Sequence, residues 1–112
     1  MLLYSYKSFF GGIFMVKHVI IWALKDDAKK NPTLKMEIKE RLEGLLGKIE
    51  GFTEMKIITE GLPTSSGDLM LDSTFVDADA LKYYAGHPEH VAVADGWVRP
   101  NVDTRMAFDF EI

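Results

Sequence analysis

The chain has 112 residues, 47% hydrophobic and 27% charged, with a formal net charge of -4 and a pI near 5.3. A chain of this size folds as one domain and buries roughly two-thirds of its unfolded surface, and it carries no basic stripe to neutralise nucleic-acid phosphates. Cysteine is absent, which removes disulfides, thiolate nucleophiles and Cys-containing zinc sites.

Residues 1–14 read as an N-terminal extension to a domain over residues 15–112. Leu2, Leu3, Phe9, Phe10, Ile13 and Phe14 are apolar, but Tyr4, Ser5, Lys7 and Ser8 interrupt them. The run is too short to span a bilayer and lacks a small-residue cleavage site. No membrane partner is therefore expected, and a cytoplasmic location is. Met15 is the expected natural start, because Gly11-Gly12 can be encoded by a purine-rich, ribosome-binding type of run. The extension itself is expected to lie against apolar surface.

Val16 to Lys25 reads as a strand with two apolar faces: His18, Ile20, Trp22 and Leu24 on one, Val19, Ile21 and Ala23 on the other. Such a strand is covered on both sides. One layer of helices covers a single side, so the other requires a partner. Asn31-Pro32 signals a helix start, with Asn31 as N-cap and Pro32 at the first helical position. Leu34, Ile38, Leu42, Leu45, Leu46 and Ile49 then form one apolar stripe, and Gly51 closes the helix as its left-handed cap. Thr53 to Glu60 alternates as a second strand. A loop rich in turn formers, Gly61 to Gly67, leads to a third, Asp68 to Phe75.

Asp77-Ala78-Asp79-Ala80 opens a second helix with acidic residues at its positive end, and Leu81 and Tyr84 mark its buried side. After Pro88, Glu89 to Trp97 reads as a short helix offering Val91, Ala94 and Trp97 for burial, stopped at Pro100-Asn101. Thr104 to Ile112 is the last strand, in which Met106, Phe108, Phe110 and Ile112 alternate with Arg105, Ala107, Asp109 and Glu111. Met36, Met55, Met70 and Met106 read as core filler. The order βαββαβ predicts an α+β, ferredoxin-like fold, a four-stranded antiparallel sheet backed by helices.

The segment Tyr84-Ala85-Gly86-His87-Pro88-Glu89-His90 holds two of the three histidines. Pro88 fixes its own φ and disfavours helix at His87, so the chain turns there. The turn brings a phenol and two imidazoles to the mouth of whatever the helix covers, and these groups are suited to moving protons at a small organic ligand. Each also has a plain structural role open to it. Tyr84 can satisfy its hydroxyl on backbone, His90 can order the helix break, His87 can shape the turn, and His18 can be a hydrogen-bonded core residue. Pro88 spoils the geometry that would aim His87 and His90 at one metal ion. The Gly61 to Gly67 loop lacks the lysine and following helix of a phosphate cradle. No metal or cofactor is expected.

Val16-Lys17-His18-Val19-Ile20-Ile21-Trp22, followed by Lys25-Asp26-Asp27, resembles the opening of the stress-responsive A/B barrel domain (Dabb) family. Tyr84-x-x-His87-Pro88-Glu89-His90-Val91 is similar to that family's most recognisable motif, and Arg105-Met106-Ala107-Phe108-Asp109-Phe110 resembles its last strand. The resemblance runs from Met15 to Ile112. It implies a homodimer in which two four-stranded sheets pack into an eight-stranded α+β barrel. Some plant members are polyketide cyclases whose substrate lies between sheet and helices. There a tyrosine and the second histidine of the motif do acid-base work, and the strand-one histidine lines the pocket. Carried onto this chain, the resemblance implies Tyr84 and His90 as catalytic and His18 as substrate-binding. Trp22 and His87 complete the expected binding set. A further pocket histidine of the cyclases falls around strand two, where this chain has none.

Two functions follow. In one, the dimer is a cofactor-independent proton-transfer enzyme of cyclase or isomerase type, with His90 as general base and Tyr84 as donor to a carbonyl or enolate oxygen. In the other, it binds a small hydrophobic or aromatic molecule, or persists as a stress-associated dimer, without chemistry. A pocket with room for a ring system favours the first. An interior filled by Trp22, Phe75 and Trp97 favours the second.

Overall fold

The computed structural model describes residues 14–112; the expected seat of the N-terminal extension lies outside the described residues. Four strands form one antiparallel sheet: β1 (Val16–Leu24), β2 (Phe52–Ile58), β3 (Leu69–Phe75) and β4 (Val102–Glu111), in the order β2-β3-β1-β4. The helices are a single turn α1 (Asp26–Lys29), then α2 (Leu34–Glu43), α3 (Ala78–Gly86) and α4 (Pro88–Val93). This is the expected ferredoxin-like α+β fold. No helix among the described residues is long and apolar enough to cross a membrane.

β1 is rich in β-branched and aromatic residues, which suit a pleated surface flanked on both edges, and it pairs with β3 on one side and β4 on the other. Its even positions, from Val16 through His18, Ile20 and Trp22 to Leu24, are all buried under the helices, while Ile21 is 45% exposed on the opposite face. The helix layer brings Leu34, Ile38 and Leu42 of α2 and Tyr84 of α3 down onto the sheet. Asp77 caps α3 by accepting a hydrogen bond from the Ala80 N–H at 2.7 Å, the usual way of satisfying one free donor at a helix start.

Several expected boundaries move, each for a local reason. Asn31 makes its capping contact, Oδ1 accepting from the Thr33 N–H at 3.1 Å, but the next bond runs from Leu34 N–H to the Asn31 carbonyl. That is a tighter three-residue turn, so regular helix starts only at Leu34. α2 then stops at Glu43, ahead of Gly44, and the left-handed glycine after it is Gly47 (φ 89°). Gly51, with φ 102°, lies at the entrance to β2 instead, where a Cβ would sit 2.7 Å from that of Ala80. Leu45 and Ile49 are buried by the turns between these glycines, whereas Leu46 is exposed.

The segment after Pro88 is not one α-helix. α4 gives way to a π turn over Ala94–Val98 and a 3₁₀ turn over Arg99–Asn101. Each residue of a π turn advances less around the axis than in an α-helix. Val98 therefore joins Ala94 in burial, while Trp97 falls behind and packs against α2, its ring 3.7 Å from the Arg41 guanidinium. Of the expected methionine core, Met55 is buried, but Met36 and Met106 are exposed.

The helices leave the outer sheet face open. In register, one row across it reads Ile58, Met70, Ile21 and Met106, entirely apolar, and Phe108 and Phe110 continue along β4. The far corner is polar. Lys17 Nζ lies 2.6 Å from Asp72 Oδ1 and donates to Thr74 Oγ1, which donates to Glu54 Oε1 at 2.9 Å.

Candidate functional site

β4 is exposed along nearly its whole length, because the helices pack over β1, β2 and β3 and stop short of it. The gap between β4 and the helix layer is a cavity of about 640 Å³. Its floor is apolar, with Ile20, Trp22 and Leu71 from the sheet and Leu42 and Val98 from the helix layer. Tyr84, His90 and His18 lie in its walls, with Arg99, Arg105 and Asp109 beside them. Four of the five residues expected from the sequence, His18, Trp22, Tyr84 and His90, are thus brought together.

His87 is not. Its Nδ1 accepts the Glu89 N–H at 3.1 Å, so the ring serves as N-cap of α4, and it packs edge-on against Tyr83 outside the cavity. That is the turn-shaping role, and it places His87 outside this cavity. The two imidazoles of the motif are committed to different backbone groups, and among the described residues no set of three or more potential ligands is placed to hold a metal ion.

Each remaining polar group has a defined protonation geometry. His90 Nδ1 lies 3.0 Å from the Ala85 carbonyl, which only accepts, so Nδ1 carries the proton and Nε2 of the neutral ring is a bare acceptor. Burial holds the His90 pKa below the ordinary 6.5; the Ala85 carbonyl opposes this, and the charges of Arg99, His18 and Arg105 reinforce it. His18, only 7% exposed, places Nδ1 2.5 Å from Asp109 Oδ1. The carboxylate accepts and Nδ1 donates, which leaves Nε2 as the nitrogen available to a ligand.

Tyr84 is 2% exposed, with its ring 4.3 Å from that of His90 and edge-on to Phe52 and Phe75. Burial pushes its pKa far above the ordinary phenol value, so it stays protonated. Its hydroxyl has no hydrogen-bond partner among the described residues. A buried hydroxyl left unpaired costs about 1–3 kcal/mol. Tyr84→Phe is accordingly expected to leave the free protein as stable or up to about that much more stable, read as a urea midpoint at unchanged slope. A clear loss of stability would mean the hydroxyl is already bonded in the free protein. Core packing gives no reason to keep this hydroxyl.

Asp109, Arg105 and Arg99 were not expected from the sequence. β1 and β4 pair in a register that sets His18 against Asp109 and Trp22 against Arg105. The polar set of alternating β4 residues faces the cavity, and the apolar set faces the open side of the sheet. The alternation in the last strand shows that β4 has a charged side and an apolar side, but not which of them faces the cavity.

Residues 16–112 match the sequence profile of the Stress responsive A/B Barrel Domain (Dabb). No curated protein matches the chain. Among solved structures, a dimeric protein of unknown function with a ferredoxin-like fold from Bacteroides fragilis NCTC 9343 is 30% identical, with a TM-score of 0.75 over 88% of this chain and 96% of its own. A dabb family protein with a ferredoxin-like fold from Mesorhizobium loti is 22% identical, with a TM-score of 0.72 over 87% of this chain and 95% of its own. The hydroxynitrile lyase of Passiflora edulis is 16% identical, with a TM-score of 0.75 over 88% of this chain and 94% of its own. The last two likenesses show the fold alone.

Proposed function

The chain belongs to the stress-responsive A/B barrel domain family, and on that premise we propose that it is a homodimeric, cofactor-independent proton-transfer enzyme acting on a small hydrophobic molecule. The observation that carries this reading is a cavity of about 640 Å³ with His90, Tyr84 and His18 in its walls. That volume falls within the range of small-molecule sites. The cavity is not filled: Phe75 lies beneath Tyr84, and Trp97 is half-buried against α2 and the core, outside the cavity lining. The open, largely apolar outer face and the dimeric relative from Bacteroides fragilis support the homodimer.

In the proposed reaction the neutral His90 ring takes a proton from carbon through Nε2. Its Nδ1–H is anchored on the Ala85 carbonyl, so the ring does not have to reorient. The Tyr84 hydroxyl donates to the carbonyl oxygen as negative charge develops there, and regains in that bond the partner it lacks in the free protein. His18, steadied by Asp109, offers Nε2 to a second polar atom of the ligand. Isomerisation and carbon–carbon ring closure through an enolate both fit this arrangement.

The pH profile tests it. The base must be neutral and the phenol protonated. His90 is held below 6.5, so activity rises with pH through a midpoint below that value. Tyr84 is pushed above 10, so the alkaline limb lies above 10. The measurement is the rate at which an enolisable aryl ketone exchanges its α-protons in D₂O, followed by NMR across pH. An acid limb centred above 6.5 would rule out His90 as the base.

A further inference from the structure

We propose that Arg99 and Arg105 form an anion subsite at the rim of the cavity, so that its ligand is a hydrophobic organic acid. This rests on the reading of the cavity as a small-molecule site and names the class of molecule it takes. The chain as a whole is acidic, at -4, yet the cavity wall holds two arginines against one carboxylate. That carboxylate, Asp109, is already engaged by His18 Nδ1 at 2.5 Å. Among the described residues Arg105 has no ion-pair partner. Arg99 gives Nη1 to Asp95, and the rest of its guanidinium fork remains to be used.

A local excess of positive charge beside a low-dielectric wall is a means of selecting anions. Guanidinium groups match the flat, two-oxygen shape of a carboxylate. The floor sets the other half of the ligand. Ile20, Leu42, Leu71 and Val98 offer only apolar surface, and Trp22 adds a broad indole ring with a single N–H. An inorganic anion would occupy the rim and leave this floor empty, and a neutral hydrophobe would leave Arg105 without an ionic partner. An acid with a ring or alkyl body uses both.

Calorimetry with naphthoate and its methyl ester, which differ in charge and little in shape, tests the subsite. The wild-type protein is expected to bind the acid on the order of tenfold or more tighter than the ester, with a margin that shrinks as salt is added. Arg105→Gln should lower naphthoate affinity by about tenfold and leave ester affinity within about twofold. Equal binding of acid and ester overturns the anion subsite and leaves the cavity reading standing. An acid preference that survives in the Arg99→Gln/Arg105→Gln double variant also overturns it. Failure of both probes to bind at millimolar concentration overturns the subsite and the cavity reading together.

Discussion

An Ile21→Asp protein is expected to run as a monomer, or to aggregate, at micromolar concentrations where the wild type is expected to run as a dimer. Ile21 sits within the apolar row of the open face, between Met70 on β3 and Met106 on β4. In a single chain it is 45% exposed, and Met106 is 73% exposed. An aspartate there is solvated in the monomer and costs the fold little. Closing an apolar second sheet over that face would strip its water. A desolvated, unpaired carboxylate costs on the order of several kcal/mol, enough to weaken association by a hundredfold or more on the order-of-magnitude scale of 1.4 kcal/mol per decade. Sedimentation velocity separates the outcomes, and circular dichroism reports whether the monomer is folded. A variant that remains a stable dimer would place the interface elsewhere.

His90→Ala is expected to slow α-proton exchange on the aryl ketone by on the order of 10²–10⁴-fold, the usual contribution of a positioned general base. The half-buried ring packs on Tyr84 and anchors to Ala85, so the substitution also removes some packing; a near-native unfolding midpoint is the control. Tyr84→Phe, which keeps the ring, should slow the same exchange while sparing stability. His87→Ala should do the reverse. It removes the N-cap of α4 and costs stability of about 0.5–2 kcal/mol, and it leaves exchange close to wild type because His87 lies outside the cavity. If the wild-type protein binds ligands yet accelerates no exchange, it is a binding protein and not an enzyme. If the His90 variant exchanges as fast as wild type, the base is another group.

What the sequence discloses follows from the range of each signal. The two faces of β1 are legible because strand side chains alternate with a period of two, and every buried position from Val16 to Leu24 follows that rule. Tyr84 and His90 are legible because Pro88 marks the turn between them. Gly51 misleads because a glycine's positive φ declares a backbone shape without saying which element it serves. Trp97 is only half-buried against the core because the stretch winds as π where α-helical spacing is assumed. Arg105 and Asp109 are missed for a different reason. An alternating strand normally turns its apolar side to its own core, whereas here Met106, Phe108 and Phe110 share the open face and the charged side lines the cavity. That inversion depends on pairing with β1, some eighty or more residues away in the chain, and local composition does not encode it.

The uneven pattern of the open face bears on self-recognition. In a two-fold dimer the same surface serves both partners. The row Ile58, Met70, Ile21 and Met106 and the corner holding Lys17, Asp72, Thr74 and Glu54 must therefore each find an acceptable mate in one and the same docking. A docking that set Asp72 or Glu54 against the bare apolar side chains of β4 would bury charge without a partner, the kind of mismatch that discriminates between partners. Other proteins of this fold present the same sheet outline, so outline alone cannot tell kin from self. If two copies meet on this face, the charged corner favours dockings that keep its charges off the bare apolar row.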